Sequence, residues 1–474
     1  MIDLILQSFK IKFIVGKVKK YQLKNIILFL FSLNLKNQKA IKEKEFMPIE
    51  RRNFVKSLGL LAGALPFVKG NVFAENKTIQ NQKEYTLSSS LNTTDEDFWN
   101  WVHSCYTVNP NILNLNNGGV SPQPKIVQDA FEKYYELSNE GPSYFMWRIL
   151  DQGREPLRQR LADLAGVLPD EIAINRNTTE ALDNVIFGLN FKRGDEVVLT
   201  KQDYPNVINA FKQREERDGI VLKWINLNLP IEDDDTIVKA FQEQFTNRTK
   251  LVNITHIINW NGQILPARKI ADAAHSQGID VMVDAAHTFV HLDYKISDLD
   301  CDYLGTSLHK WLCAPFGSGM LYVKKDKIKN IYPLFPNPEP KSDDIRKFEA
   351  QGTRNFATEQ AIGEAINFHQ IIGAKRKEER LRFLKNYWAE RILEFPKVKL
   401  HTSLKPEYSC GLALFSIDGT KPGDVANALF DKYKIHTVAI EWENISGIRV
   451  TPNVYTRLQD LDRFINAVKE IAKA

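Results

Sequence analysis

Asp280-Val281-Met282-Val283-Asp284-Ala285-Ala286-His287 and, further along, Tyr303-Leu304-Gly305-Thr306-Ser307-Leu308-His309-Lys310 are the two stretches that decide the fold. Each begins as a short run rich in apolar residues and ends in side chains that carry charge or a hydrogen-bonding ring. That is the pattern of a buried strand whose carboxyl end opens onto a turn. Similar runs lie on both sides, and strands are expected at 172–174, 196–200, 221–225, 251–255, 280–283, 303–306 and 319–323, with amphipathic helices between them. The helix 267–276 is the best delimited, with Pro266 at its start and Gly278 beyond its end. Such alternation predicts an α/β fold with a mainly parallel sheet covered on both faces. Open sheets of this kind bind ligands outside the carboxyl ends of their strands.

Asp284 and Lys310 close two of these strands, and their chemistry is complementary. A lysine amine can bond to an aldehyde carbon, while an aspartate at the end of another strand can hold a pyridine nitrogen protonated. Together they point to pyridoxal 5'-phosphate as cofactor, because its protonated ring can take up the charge left when a bond at an amino acid's α-carbon breaks. Once substrate displaces it, Lys310 is the natural base for the α-proton, provided desolvation and the charged ring lower its pKa. The phosphate needs further groups. Asn175-Arg176-Asn177-Thr178-Thr179-Glu180 follows an apolar strand and opens a helix, where free N–H groups and hydroxyls bind an anion, so Thr178 and Thr179 are candidate ligands. Ser307 and His309 flank Lys310 and could reach the same group. Tyr204, in Asp203-Tyr204-Pro205-Asn206, is placed to stack on the ring, and Asn259 and His287 are candidates to hydrogen-bond its phenolic oxygen. Singly, a His-Lys pair is an ordinary surface pair, a Thr-Thr pair an ordinary helix cap, and an aspartate after an apolar run a strand terminator. What carries the reading is their order, each near the carboxyl end of an expected strand.

In these motifs the chain resembles the class V aminotransferase family of fold type I pyridoxal-phosphate enzymes, a group that includes cysteine desulfurases and isopenicillin N epimerase-like proteins. The matching stretches run from Leu115-Asn116-Asn117-Gly118-Gly119 to Gly447-Ile448-Arg449-Val450-Thr451-Pro452. The resemblance implies that Lys310 bonds the cofactor, that Asp284 pairs with the pyridinium, and that Arg449 grips the substrate's α-carboxylate through a bidentate guanidinium. His287 stands where the desulfurases carry Gln, and Tyr204 where a stacking His is common. Phe348-Glu349-Ala350-Gln351-Gly352-Thr353 is similar to a segment whose threonine, here Thr353, reaches the phosphate of a partner subunit, which implies a homodimer. One departure matters. A desulfurase needs a cysteine on a mobile loop shortly before the carboxylate-binding arginine, and the stretch from Tyr433 through Ser446 contains none. Cys105, Cys301, Cys313 and Cys410 all lie elsewhere, so desulfurase activity is not expected.

The chain has 474 residues, long enough for a large α/β domain and a smaller one. Its four cysteines are irregularly spaced and give neither a metal-ligand pattern nor a disulfide framework. The net charge of +5 is concentrated at the start, where residues 1–74 carry 14 Lys and Arg against 4 Asp and Glu. The remainder is mildly acidic, which argues against nucleic acid as a partner. Arg51-Arg52-Asn53-Phe54-Val55-Lys56 resembles a twin-arginine export signal, followed by an apolar run from Leu58 to Val68 and small residues before Ala74. Cleavage after Ala74 and a periplasmic location are therefore expected. Glu50 and Val55 depart from the usual pattern of such signals. The apolar run 25–31 is too short for a membrane span, and Met47, which leads directly into the arginine pair, is the expected true start.

These boundaries give an N-terminal extension and signal at 1–74, a polar linker at 75–94, an arm and large cofactor-binding domain at 95–340, and a smaller α+β domain at 341–474. Pro336-Asn337-Pro338-Glu339-Pro340 forms the hinge, and one long helix is expected from residue 358 to about 394. Arg449 then belongs to the small domain and Lys310 to the large one, so closure of one on the other would bring them to the same substrate. The expected function is that of an exported enzyme acting at the α-carbon of an amino acid or peptide-like small molecule. Transamination leads and epimerisation follows closely. A catalytically inactive exported binding module is the alternative from another class.

Overall fold

The computed structural model describes residues 94–473. The expected export signal, the cleavage site at Ala74 and nearly all of the linker lie outside the described residues. After an arm helix at Glu96–Ser104 and a short strand β1 (Leu113–Asn114), the alternating runs become strands close to their expected bounds. They are β2 (Ile172–Asn175), β3 (Glu196–Thr200), β4 (Val221–Ile225), β5 (Thr249–Thr255), β6 (Asp280–Asp284), β7 (Tyr303–Ser307) and β8 (Gly319–Val323). They form one sheet in the order β2-β8-β7-β6-β5-β3-β4. Only β8 runs against its neighbours.

The sheet is apolar on both sides because its strands are. Val281 and Val283 of β6 enter one core layer with Val252, Ile254 and Leu304, while Met282 enters the other with Val197, Leu199, Tyr303 and Leu321. Buried on both faces, such strands need no polar alternation. Their carboxyl ends carry the polar residues, and the register places Thr255, Asp284 and Gly305 side by side on β5, β6 and β7.

The segment expected as one helix from 358 to 394 is two, Phe356–Ile372 and Ala374–Ile392. Gly373 between them has φ of 87°, a left-handed conformation that ends a helix and that glycine adopts without steric penalty. The first helix buries Ile362, Ala365, Ile366 and Phe368 in the core of the large domain, whereas Leu384 and Trp388 of the second enter a separate core with Phe415, Ile448 and Phe464. The change from one core to the other occurs within the second helix, between Leu381, which still packs in the large-domain core, and Leu384, later than the proline-rich segment 336–340. The smaller sheet is antiparallel, with β9 (Val398–Leu400), β10 (Ala413–Ile417), β12 (Val438–Trp442) and β13 (Ile445–Val450) in the order β12-β13-β10-β9. β11 (Ile435–His436) pairs in parallel with β1, and Leu115, just beyond β1, lies in the small-domain core. The arm therefore belongs partly to the far domain.

The turn joining β12 and β13 consists of Glu443 and Asn444 alone, with Glu443 at φ of 50°. It is tied to the large domain. Trp442 Nε1 donates to the Lys201 carbonyl (2.8 Å), Asn444 Nδ2 to the Leu227 carbonyl (3.0 Å) and Gln202 Nε2 to Asn444 Oδ1 (2.9 Å). Trp442 also stacks on Trp260, with centroids 5.0 Å apart.

Gly319 at the head of β8 lies against the turn before the helix Thr178–Gly188. A Cβ at Gly319 would lie 2.5 Å from the Asn177 backbone nitrogen, so the turn can close on the strand only over glycine. Gly319→Ala is expected to destabilise the cofactor-free protein by about 1–3 kcal/mol through overpacking, read from urea unfolding. Unchanged stability would show that the turn has room to move.

Candidate active site

Asp284 ends β6 and Lys310 lies three residues beyond the end of β7, its immediate neighbour in the sheet. Lys310 Nζ is 3.2 Å from His287 Nε2. Burial drives the Lys310 amine down to about 8, with Arg449 adding to the effect and Asp284 opposing it. Burial, reinforced by Lys310 and Arg449, also holds His287 well below its ordinary range, so its ring is neutral. Nε2 faces the Lys310 amine, and the other ring nitrogen, Nδ1, is buried without a hydrogen-bond partner. Asp284 is 4% exposed. Burial raises its pKa, offset by the Ala286 N–H (2.9 Å to Oδ1) and by the charge of Lys310.

At the same carboxyl end of β7, on the phosphate side of the expected site, the helix Thr178–Gly188 begins beside Ser307. The Thr178 N–H donates to Ser307 Oγ at 3.0 Å, and the two hydroxyls are 2.7 Å apart. Asn177 caps the helix by accepting the Glu180 N–H at 2.9 Å. Thr179 Oγ1 accepts from Asn206 Nδ2 at 3.3 Å, which ties the Tyr204-Pro205-Asn206 turn to the helix start. His309 Nδ1 bonds the Ser318 carbonyl at 2.9 Å. Thr353 is exposed and makes no hydrogen bond to these groups among the described residues.

Arg449 reaches the site from β13 of the small domain. It is 8% exposed, and burial lowers it to about 10. Nη1 donates to the Asn259 carbonyl and Nη2 to Asn116 Oδ1, both at 2.9 Å. The Tyr204 hydroxyl is close enough to act on its charge, while the Tyr204 ring remains 41% exposed. Gly118 closes the gap between domains: a Cβ there would lie 3.0 Å from Thr451 Cγ2 and 3.3 Å from His287 Cε1. Lys310, Asp284, His287, Tyr204, Asn259 and Arg449 thus converge, with Thr178, Thr179 and Ser307 at one end.

The residues present suit pyridoxal phosphate. Asn259 Oδ1, His287 Nδ1 and Arg449 Nε are buried without a hydrogen-bond partner, a state that costs free energy unless a polar ligand completes it. Asp284 has a buried carboxylate with a single N–H donor, fitting a protonated ring nitrogen. Thr178, Thr179 and Ser307 would hold the phosphate at the helix start. Two contributors had no assigned role in the sequence reading. Asn116 was legible only as part of an Asn-rich stretch. Asp203 is fully buried, accepting from Thr200 Oγ1 (2.8 Å), Asn253 Nδ2 (2.7 Å) and Thr255 Oγ1 (2.8 Å), and so fixes the strand end that presents Tyr204. Burial raises Asp203 to about 6 against these bonds. Its place directly before Tyr204 was the available signal.

In cofactor-free protein, Lys310 should be acylated by acetic anhydride with a midpoint near pH 8, about two units below an ordinary lysine. The sign for stability follows. Between roughly pH 8 and 10.5 the unfolded chain binds this proton and the folded one does not, so raising the pH through that window favours folding. Mass-spectrometric labelling with a midpoint above 10 would show that the amine is solvated.

Comparison with known proteins agrees with this geometry. The family model described as "Aminotransferase class-V" matches residues 113–460. An isopenicillin N epimerase of Amycolatopsis lactamdurans is 27% identical over 394 residues, covering 79% of this chain and 99% of that protein. A probable cysteine desulfurase of Synechocystis sp. is 29% identical over 335 residues, covering 66% of this chain and 78% of the relative. Among solved structures, the apo form of a cysteine desulfurase from Thermococcus onnurineus NA1 superposes with a TM-score of 0.70 at 24% identity, covering 80% of this chain and 98% of that one. The fold is accordingly that of the fold type I enzymes, and the chain belongs to the class V aminotransferase family of pyridoxal-phosphate-dependent enzymes.

Proposed function

We propose that the protein moves a proton at the α-carbon of an amino acid, or of a small molecule containing one, that bears a free α-carboxylate, and that the outcome is transamination. The observation that carries this reading is a buried guanidinium, Arg449, with no acidic partner among the described residues, close to a buried amine, Lys310, lowered to about 8. Arg449 binds and orients the carboxylate. Lys310 is unprotonated in a useful fraction near neutral pH and accepts the α-proton. His287, neutral and 3.2 Å from that amine, orients it without competing for the proton. Asp284, supported by the Ala286 N–H and the charge of Lys310, would pair with the protonated ring nitrogen. Bound pyridoxal phosphate supplies an electron-withdrawing ring that acidifies the α-proton.

Epimerisation is the second reading, and two observations favour it. Relatives named isopenicillin N epimerase match over nearly their whole length. Strand order also sets Lys310, after β7, and Tyr204, after β3, on opposite sides of Asp284 on β6, so a phenol faces the site across from the base. Desulfurase chemistry is not proposed, because the two-residue turn between β12 and β13 and the stretch before it hold no cysteine.

We further propose export through the twin-arginine signal at Arg51-Arg52, and a homodimer in which the loop carrying Thr353 faces the partner. The dimer reading is supported by the exposed apolar side chains Tyr144, Trp147 and Phe316. N-terminal sequencing of exported protein, expected to start after Ala74, and light scattering test the two; a retained arginine pair or a monomer would refute the respective claim.

Incubation of the holoenzyme with L- and D-amino acids in deuterated water should give keto acids. An α-deuterated amine of inverted configuration would establish epimerisation instead, and colourless protein without α-exchange would mark an inactive binding module. Arg449→Ala should raise KM about 10- to 100-fold for substrates with a free carboxylate, the loss expected for charge-assisted hydrogen bonds of about 1.5–3 kcal/mol. Equal losses with the corresponding amides would refute the role of Arg449.

A further inference from the structure

Arg449 is a buried cation whose hydrogen-bond partners are both neutral oxygens, the Asn259 carbonyl and the side chain of Asn116. A guanidinium has donors and no acceptor, so the oxygen of the Asn116 amide must face it. The other end of the amide then points to His436 Nε2, 3.4 Å away. Asn116 is itself held at both ends of its short segment. Its N–H donates to Asn114 Oδ1 at 3.1 Å, the next residue's N–H donates to the Thr451 carbonyl at 3.2 Å, and β1 pairs with β11 immediately before it. This segment lies beside the end of β13, two residues beyond Arg449.

Resting on the reading of Arg449 as the carboxylate receptor, we propose that Asn116 is a positioning residue that fixes the guanidinium through a neutral acceptor and so leaves its positive charge free for the substrate. A carboxylate at the same position would satisfy the same hydrogen bond. It would also form a buried ion pair and compete with the incoming anion for the cation. An apolar side chain would leave the charge free but the guanidinium loosely oriented. The amide is the side chain of this size that meets both requirements.

The test compares the holoenzyme with Asn116→Asp and Asn116→Ala, using isothermal titration with pyruvate as the carboxylate probe and pyruvamide as its neutral counterpart. Asn116→Asp should weaken pyruvate binding more than tenfold and leave pyruvamide unchanged, with the visible absorption of the bound cofactor unaltered. Asn116→Ala should weaken pyruvate several-fold, and in turnover raise KM while kcat stays within about twofold, a split that loss of folding would not give. Pyruvate binding by Asn116→Asp equal to that of the parent would overturn the proposal while leaving Arg449 as receptor. If the parent holoenzyme itself binds pyruvate no better than pyruvamide, the receptor assignment fails, and the role of Asn116 with it.

Discussion

Two buried cations, Lys310 and Arg449, share the site with one buried carboxylate, Asp284, whose charge acts on Lys310, and this imbalance governs the site. Each cation is pushed toward its neutral form by burial, and the charge of Arg449 depresses Lys310 further. In a low-dielectric site such an excess of positive charge is costly unless anions arrive. A cofactor phosphate and a substrate carboxylate are anions of that kind. The same electrostatic arrangement that prepares Lys310 to lose a proton therefore also favours the two ligands that the chemistry needs.

Holding unpaired charges in place requires a rigid frame, and the parallel strands supply it. β3, β5, β6 and β7 are packed on both faces by apolar layers, so the residues at their carboxyl ends have little freedom to turn toward water. Arg449 depends on the smaller domain, and there the frame is completed by contacts between the domains. The β12–β13 turn is tied to Lys201, Gln202 and Leu227, and His291 Nε2 accepts the Gly411 N–H at 2.9 Å while its Nδ1 contacts the His287 carbonyl at 2.7 Å. His287 is thus connected through one intervening ring to the start of β10.

The large domain was legible because its strands are short apolar runs ending in polar residues, a pattern that local sequence carries in full. Lys310, Asp284 and Thr178 were legible for the same reason, each standing at or just beyond a strand end or at a helix start, whereas Arg449 was legible through the family resemblance. The break at Gly373 was harder to see. The apolar pattern on either side of it continues at helical spacing, and only the backbone angle reveals that the helix ends there. Asn116 was invisible in principle, since its partner is more than three hundred residues away and nothing in an Asn-rich stretch distinguishes the residue that meets Arg449. For His309 and Thr353 a single chain gives position alone: His309 Nδ1 bonds the Ser318 carbonyl, and Thr353 is exposed.

The crossing of the arm into the smaller domain makes the amino-terminal segment an active-site component. A protein trimmed to begin at β2 would keep every residue that faces the cofactor, yet it would lose the oxygen that orients Arg449, the strand beside Ile435 and the glycine wedged between Thr451 and His287. On the proposed role of Arg449, any proteolytic maturation of this chain must therefore stop upstream of Leu113 if the guanidinium is to keep its orientation.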